Sequence, residues 1–353
     1  MVKLSIELVP DEPVERIVEY SVTAEEAGFD YIWITDHYNN RNLWCTLTAI
    51  ALATKTVLIG PGVTNPYHTS PALSAAAAVT LNEISHGRAV IGLGAGDKVT
   101  LQTLGIEWEK PVSTVVEGIQ CIRELTQGKR VTMEGRVLKL NGAKLSMVEK
   151  IPVLDIDGNP IARDGKIVKK APKIPVYAGV QGPMMLRNTA AVADGILINA
   201  SHPLDFKIAV ETIREGAEKA GRTLQELDIG AYTACSVADS LEEASSGMIR
   251  VVVAYIVAGA PESVLLRHEL ELDRCKDIKE ALAKGNYGNA QQLVSDQMIE
   301  AFAIVGRPDD CVQRIKELID TGVTHFIAGS PIGPDKIKAI KILGQKVIPH
   351  FRE

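Results

Sequence analysis

Glu7 interrupts the apolar run Lys3–Val9, where a solvated face is not expected. A carboxylate enclosed by apolar side chains must be paired, protonated or used, because burial penalises its ionised form. If its pKa is raised toward neutrality, it can serve as a general acid. Polar and glycine-rich segments follow other short apolar runs: Thr35-Asp36-His37-Tyr38-Asn39-Asn40, Gly60-Pro61-Gly62-Val63-Thr64-Asn65-Pro66, Gly92-Leu93-Gly94-Ala95-Gly96-Asp97-Lys98, Gly179-Val180-Gln181-Gly182-Pro183, Asn199-Ala200-Ser201 and Gly329-Ser330-Pro331. The glycines of Gly92–Gly96 permit close backbone approach but lack the dinucleotide spacing G-x-G-x-x-G. Gly179–Pro183 precedes a helix-forming stretch, so its N–H groups offer a seat for a phosphate. Such a set suits a large, anionic, ring-containing ligand. Simpler readings stand beside each assignment: turn geometry for the glycines and asparagines, a helix cap for Asp36, a surface loop for His37, and a helix start for Asp97-Lys98.

The elements that must position these residues alternate strand and helix. Strand-like runs fall at Lys3–Val9, Asp30–Ile34, Thr56–Ile59, Ala89–Leu93, Ile174–Ala178, Gly195–Asn199, Asp228–Ser236 and His325–Ala328. Helical stretches separate them, among them Leu43–Thr54, Pro71–Ser85, Val112–Thr126, Asp205–Ala220, Leu241–Ala258 and a terminal Lys336–Val347. Eight such units predict an α/β fold of the (β/α)8 TIM-barrel type, a single domain over 1–353, with its active site at the C-terminal ends of the strands. An open doubly wound sheet would carry a glycine fingerprint after its first strand, where this chain reads Val9-Pro10-Asp11-Glu12-Pro13. Val131–Lys173 breaks the rhythm: it is β-rich, with turn signals at Asp157-Gly158 and Asp164-Gly165, and predicts a hairpin insertion, docked or solvated.

Composition narrows the function classes. The 353 residues carry a net charge of −6 and no basic run, which excludes a phosphate-backbone footprint and so a nucleic-acid partner. Five cysteines are scattered singly, which argues against a disulfide framework or a metal site and fits a reducing cytoplasm. The N-terminus lacks the features of a signal peptide, and the longest apolar run, Val251–Ala260, falls short of the roughly 20 residues that span a bilayer, so no membrane partner is expected.

Seven loops carry a resemblance: Glu7-Leu8-Val9-Pro10, Trp33 to Asn40, Gly60 to Tyr67, Gly94 to Lys98, Leu104-Gly105-Ile106-Glu107-Trp108, Gln181 to Leu186 and Ala328 to Lys336. Together they resemble the methylenetetrahydromethanopterin reductases of the bacterial-luciferase-like superfamily, essentially end to end, with Val131–Lys173 as the departure. The resemblance implies a luciferase-like barrel with insertion segments, and a homodimer or homotetramer. It implies coenzyme F420, an 8-hydroxy-5-deazaflavin, exchanging a hydride reversibly with methylenetetrahydromethanopterin to give the methyl form. It also implies a non-proline cis peptide at Gly62-Val63. On that basis Asp36, His37, Asn39, Thr64 and Asn65 are expected at the coenzyme ring edge, and Gly179, Gln181 and Gly182 at its phosphate. Glu7 is the expected acid and Asp97 the alternative. Another flavin or deazaflavin oxidoreductase of the superfamily, or a non-catalytic flavin-binding barrel, is the competing expectation.

Overall fold

The computed structural model describes residues 2–148, 152, 159–163, 166–167, 169 and 171–352. Eight parallel strands form the barrel: β1 (Lys3–Leu8), β2 (Tyr31–Ile34), β3 (Leu58–Pro61), β4 (Ile91–Gly94), β5 (Val176–Gly179), β6 (Gly195–Ile198), β7 (Asp228–Val237) and β8 (His325–Ile332). They follow one another in chain order, with β8 returning to β1. The seam between β3 and β4 is closed by parallel bridges Ile59–Ala89 and Thr64–Leu93. This is the expected (β/α)8 barrel.

Alternation along each strand sorts the side chains. Leu4, Ile6, Leu8, Ile32 and Ile34 join the large core beneath the surrounding helices. Tyr31, Trp33, Val90, Tyr177, Leu197 and Ile327 form a separate cluster that fills the barrel interior. On β1 the inward positions are therefore Ser5 and Glu7, and on β2 the inward series Tyr31, Trp33 continues to Thr35.

The barrel floor is polar. Asp228 accepts hydrogen bonds from Lys3 Nζ at 2.9 Å, Tyr177 Oη at 2.8 Å and Thr324 Oγ1 at 2.6 Å, and lies 3.0 Å from His325 Nδ1. The other ring nitrogen of His325 meets Ser5 Oγ. This Ser–His–Asp chain has the order of a hydrolase relay, but Ser5 and His325 are fully buried at the end of the strands opposite the loops. No substrate can reach it, so its role is structural. Burial opposes ionisation of Asp228, yet the hydrogen bond and charge of His325, with Lys3, outweigh it and hold the carboxyl well below its usual range. A carboxyl more acidic in the folded state stabilises fully above its unfolded pKa of about 4, and that stabilisation is lost as pH falls below it. We therefore expect Asp228→Asn to cost about 2–3 kcal/mol in urea unfolding at pH 7, with the gap to the native chain narrowing below pH ~4.

Three sequence expectations need correction. The helix expected at Leu241–Ala258 is two, Leu241–Ala244 and Met248–Gly259, parted at Gly247, whose φ of +67° suits glycine. A strand at Ala303–Gly306, unforeseen, pairs with the upper half of β7, which outruns the barrel. The helices between β7 and this strand form their own apolar cluster around Ile249, Val253, Ile278 and Met298, a larger elaboration than the one expected at 131–173.

Within 131–173, Val131–Glu134 pairs antiparallel with Lys139–Ala143. The turn between them is held by Glu117, which accepts the N–H groups of Arg136, Val137 and Leu138. Ala162–Arg163 pairs antiparallel with Lys166–Ile167. Asp164-Gly165, Asp157-Gly158, Val153 and Ile156 lie outside the described residues. Among the described residues no helix is long and apolar enough to cross a membrane.

Candidate active site

Glu7 points inward near the C-terminal end of β1 and is almost wholly buried. Its register partner on β2 is Trp33. Beside it on β8 the chain must be glycine: a Cβ on Gly329 would sit 2.8 Å from the Thr233 carbonyl oxygen and 3.4 Å from Glu7 Oε2. The next residue, Ser330, donates its backbone N–H to Glu7 Oε2 at 2.6 Å. Desolvation is the largest influence on this carboxyl and raises its pKa; the Ser330 hydrogen bond and the charge of Lys336 only partly offset it. Lys336 is itself engaged by Glu12 at 2.7 Å.

Above β3 the main chain bulges through a cis peptide at Gly62-Val63, as the resemblance implied. A Cβ on Gly62 would stand 2.7 Å from Trp33 Cβ and 3.1 Å from Tyr232 Oη. The Val63 side chain fills a socket made by three glycines: added Cβ atoms on Gly92, Gly94 and Gly179 would each come within 2.7 Å of a Val63 methyl. Spacing i, i+2 on β4 thus seats a side chain rather than a phosphate. Tyr232 on β7 donates its hydroxyl to the Gly62 carbonyl at 2.8 Å. Burial, with the charge of Glu7, pushes this phenol well up, so it stays a donor.

Beyond the bulge, Thr64 donates to Asp36 Oδ2 at 2.6 Å, and His68 Nε2 lies 3.2 Å from the same oxygen. Burial works against ionisation of Asp36, but the hydrogen bonds from His68 and Thr64 prevail and lower its pKa. Asn65 is buried, and its Oδ1 accepts the N–H groups of Tyr67 and His68. His37 and Asn39 are exposed on the loop after β2. On the β5 side, Gln181 donates to the Asn199 carbonyl at 2.8 Å, and Gly182, at φ +77°, precedes the helix Pro183–Ala190. Asp97 is exposed and accepts the Thr100 N–H at 2.7 Å as a helix cap, which is the simpler of its two sequence readings.

A flat, ring-bearing coenzyme fits this mouth on two counts. The bulge is pinned by a glycine cradle, and Thr35, buried at the rim, has a hydroxyl without a hydrogen-bond partner among the described residues. Two concavities, of about 730 Å³ lined by Asp239, Ser240, Arg307 and Arg314 and about 300 Å³ around His202 and His268, do not include Glu7 or Gly62.

The family model for luciferase-like monooxygenases matches residues 2–325. The chain belongs to that family. Among luciferase-like relatives, it is similar to the 5,10-methylenetetrahydromethanopterin reductase of Archaeoglobus fulgidus, 48% identical over 99% of this chain and 100% of the relative. The like-named protein of Methanolobus tindarius is 46% identical over 97% of this chain and 98% of its own length. In structure, the chain resembles the coenzyme F420-dependent tetrahydromethanopterin reductase of Methanopyrus kandleri, with a TM-score of 0.88 and 40% identity over 99% of each chain.

Within this luciferase-like barrel, Glu7, Asp36, Gly62, Val63, Thr64, Asn65 and Gly179 lie at the C-terminal ends of β1, β2, β3 and β5, with Gln181 and Gly182 just after β5. Sequence reasoning left out His68 and Tyr232. His68 lay in a turn with no motif of its own. Tyr232 was legible only as an inward position of β7 once the register was known.

Proposed function

We propose that this chain catalyses reversible hydride transfer between reduced coenzyme F420 and 5,10-methylenetetrahydromethanopterin. The observation that carries this is the full-length similarity, 42–48% identical, to three proteins named for that reduction, joined to a buried carboxyl at the barrel mouth. The coenzyme supplies the hydride from its deazaflavin ring, so the chain needs no redox side chain. Its own residues bind, orient and move a proton. Gly62 and Val63, clamped by Tyr232 and the glycine socket, would supply a surface against which the ring could rest. Asp36, fixed by Thr64 and His68, with His37, Asn39 and Asn65, would meet the polar edge of the coenzyme. Gly179, Gln181, Gly182 and the start of helix Pro183–Ala190 would hold the phosphate, where N–H groups and the helix dipole favour an anion. Glu7, whose desolvated site favours the protonated form, gives a proton to the pterin nitrogen that departs as the methylene bridge opens. Anaerobic mixing of the chain with both reactants, followed by coenzyme oxidation, tests the reading: no oxidation would leave a binding barrel, and oxidation that requires oxygen would leave a monooxygenase.

Gln181 gives a sharper check on the phosphate seat. Gln181→Glu removes the donor to Asn199 and sets a carboxylate near the anion. We expect coenzyme affinity to fall about 10-fold with the pterin KM unchanged. Equal weakening of both would count against the assignment.

The proposal extends to assembly in the cytoplasm, to which five free cysteines are suited. Helices Leu43–Ala53 and Pro71–Ile84 are apolar around most of their circumference, and Leu52 and Leu73 lie exposed on them. Such a face is suited to a second copy of the chain. Leu52→Glu with Leu73→Glu should reduce the mass seen by light scattering to that of one chain; an unchanged mass would exclude this face.

A further inference from the structure

We propose that Thr35 is a coenzyme-binding residue whose hydroxyl hydrogen-bonds a polar atom of the deazaflavin ring. This inference rests on the functional reading above. Thr35 is only 9% exposed, yet its Oγ1 has no partner among the described residues. Other buried threonines of this chain do: Thr54 donates to the Ile50 carbonyl, Thr64 to Asp36, Thr189 to the Met185 carbonyl and Thr233 to the Ala200 carbonyl. A buried hydroxyl left unpaired costs stability, and a chain that keeps one at the end of a barrel strand keeps it for a partner that arrives.

Position says which partner. Thr35 continues the inward series Tyr31, Trp33, so its side chain faces the mouth. Trp33, one step below, also carries a buried Nε1–H with no partner among the described residues, so two unmet polar groups share one inward column. The backbone N–H of Thr35 bonds to Leu8 O at 3.3 Å, next to Glu7, and that of Gly62 bonds to Ile34 O at 2.8 Å. Thr35 therefore lies between the proposed acid and the Gly62-Val63 bulge. It also runs directly into Asp36, which is tied to Thr64, the residue after the bulge. That continuity places the hydroxyl on the side of the ring that rests on the bulge rather than on the side of the pterin.

Two variants test it, Thr35→Val, which keeps the shape and removes the hydroxyl, and Thr35→Ser, which keeps the hydroxyl. Oxidised coenzyme F420 is titrated by its fluorescence, and thermal unfolding is followed without it. For Thr35→Val we expect the melting temperature of the ligand-free chain to rise by about 1–4 °C, because an unmet polar group is gone. Its coenzyme affinity should fall about 3–10-fold with the pterin KM unchanged, while Thr35→Ser should bind nearly as the native chain does. A merely structural role would move stability and affinity together. Unchanged affinity in Thr35→Val, equal weakening in both variants, or a rise confined to the pterin KM would overturn the proposal and leave the functional reading standing. Failure of the native chain to bind the coenzyme would overturn that reading itself.

Discussion

Glu7→Gln should lower kcat by about 10²–10⁴-fold while leaving coenzyme affinity nearly intact, the size of effect that positioned acid catalysis supplies. Glutamine keeps the acceptor for the Ser330 N–H and removes only the proton that Glu7 can deliver. The same change should not lower stability at neutral pH. A carboxyl whose folded pKa is raised, as that of Glu7 is by burial, contributes stability at low pH and loses it as pH rises through that pKa, so removing the charge relieves a cost. In the native enzyme kcat should fall as pH rises through the raised pKa, and that limb should disappear in the variant. Native turnover in Glu7→Gln would assign the proton to a bound water, since Asp97 is exposed and occupied with the Thr100 N–H.

Gly179→Ala should weaken coenzyme binding by up to roughly 100-fold, because overpacking a filled socket costs on the order of 1–3 kcal/mol. The three closest neighbours of the added Cβ all belong to Val63, at 2.7, 3.0 and 3.4 Å. The strain therefore has one outlet, displacement of the bulge on which the ring rests. Gly179→Ala with Val63→Ala should recover much of the loss, as the clashing methyls are gone. A double variant no better than the single one would show that Gly179 acts through the phosphate instead, measured in both cases by coenzyme titration.

The barrel could be read from the sequence because its strands are short β-branched runs at regular spacing, and Lys3–Leu8, Tyr31–Ile34 and Gly195–Ile198 fall within two residues of expectation. Ala303–Gly306 escaped because four residues directly after a helix give no period of their own. Glu7 stood out by contrast with its apolar neighbours. The meaning of Gly92, Gly94 and Gly179 did not, since their common partner, Val63, is a contact between three strand ends that spacing along one chain cannot show. His68 and Tyr232 were hidden for the same reason: each acts on a residue far away in sequence or across a turn, at Asp36 and at the Gly62 carbonyl.

In the proposed reaction the chain passes a hydride directly from coenzyme to pterin. Reduced coenzyme F420 carrying deuterium at the reacting carbon, mixed anaerobically with the chain and methylenetetrahydromethanopterin in ordinary water, tests it in one step. The expected result is a methyl product bearing one deuterium, formed in step with oxidised coenzyme and detected by mass spectrometry. A product carrying only hydrogen from solvent, or coenzyme oxidised with no methyl product, would contradict it.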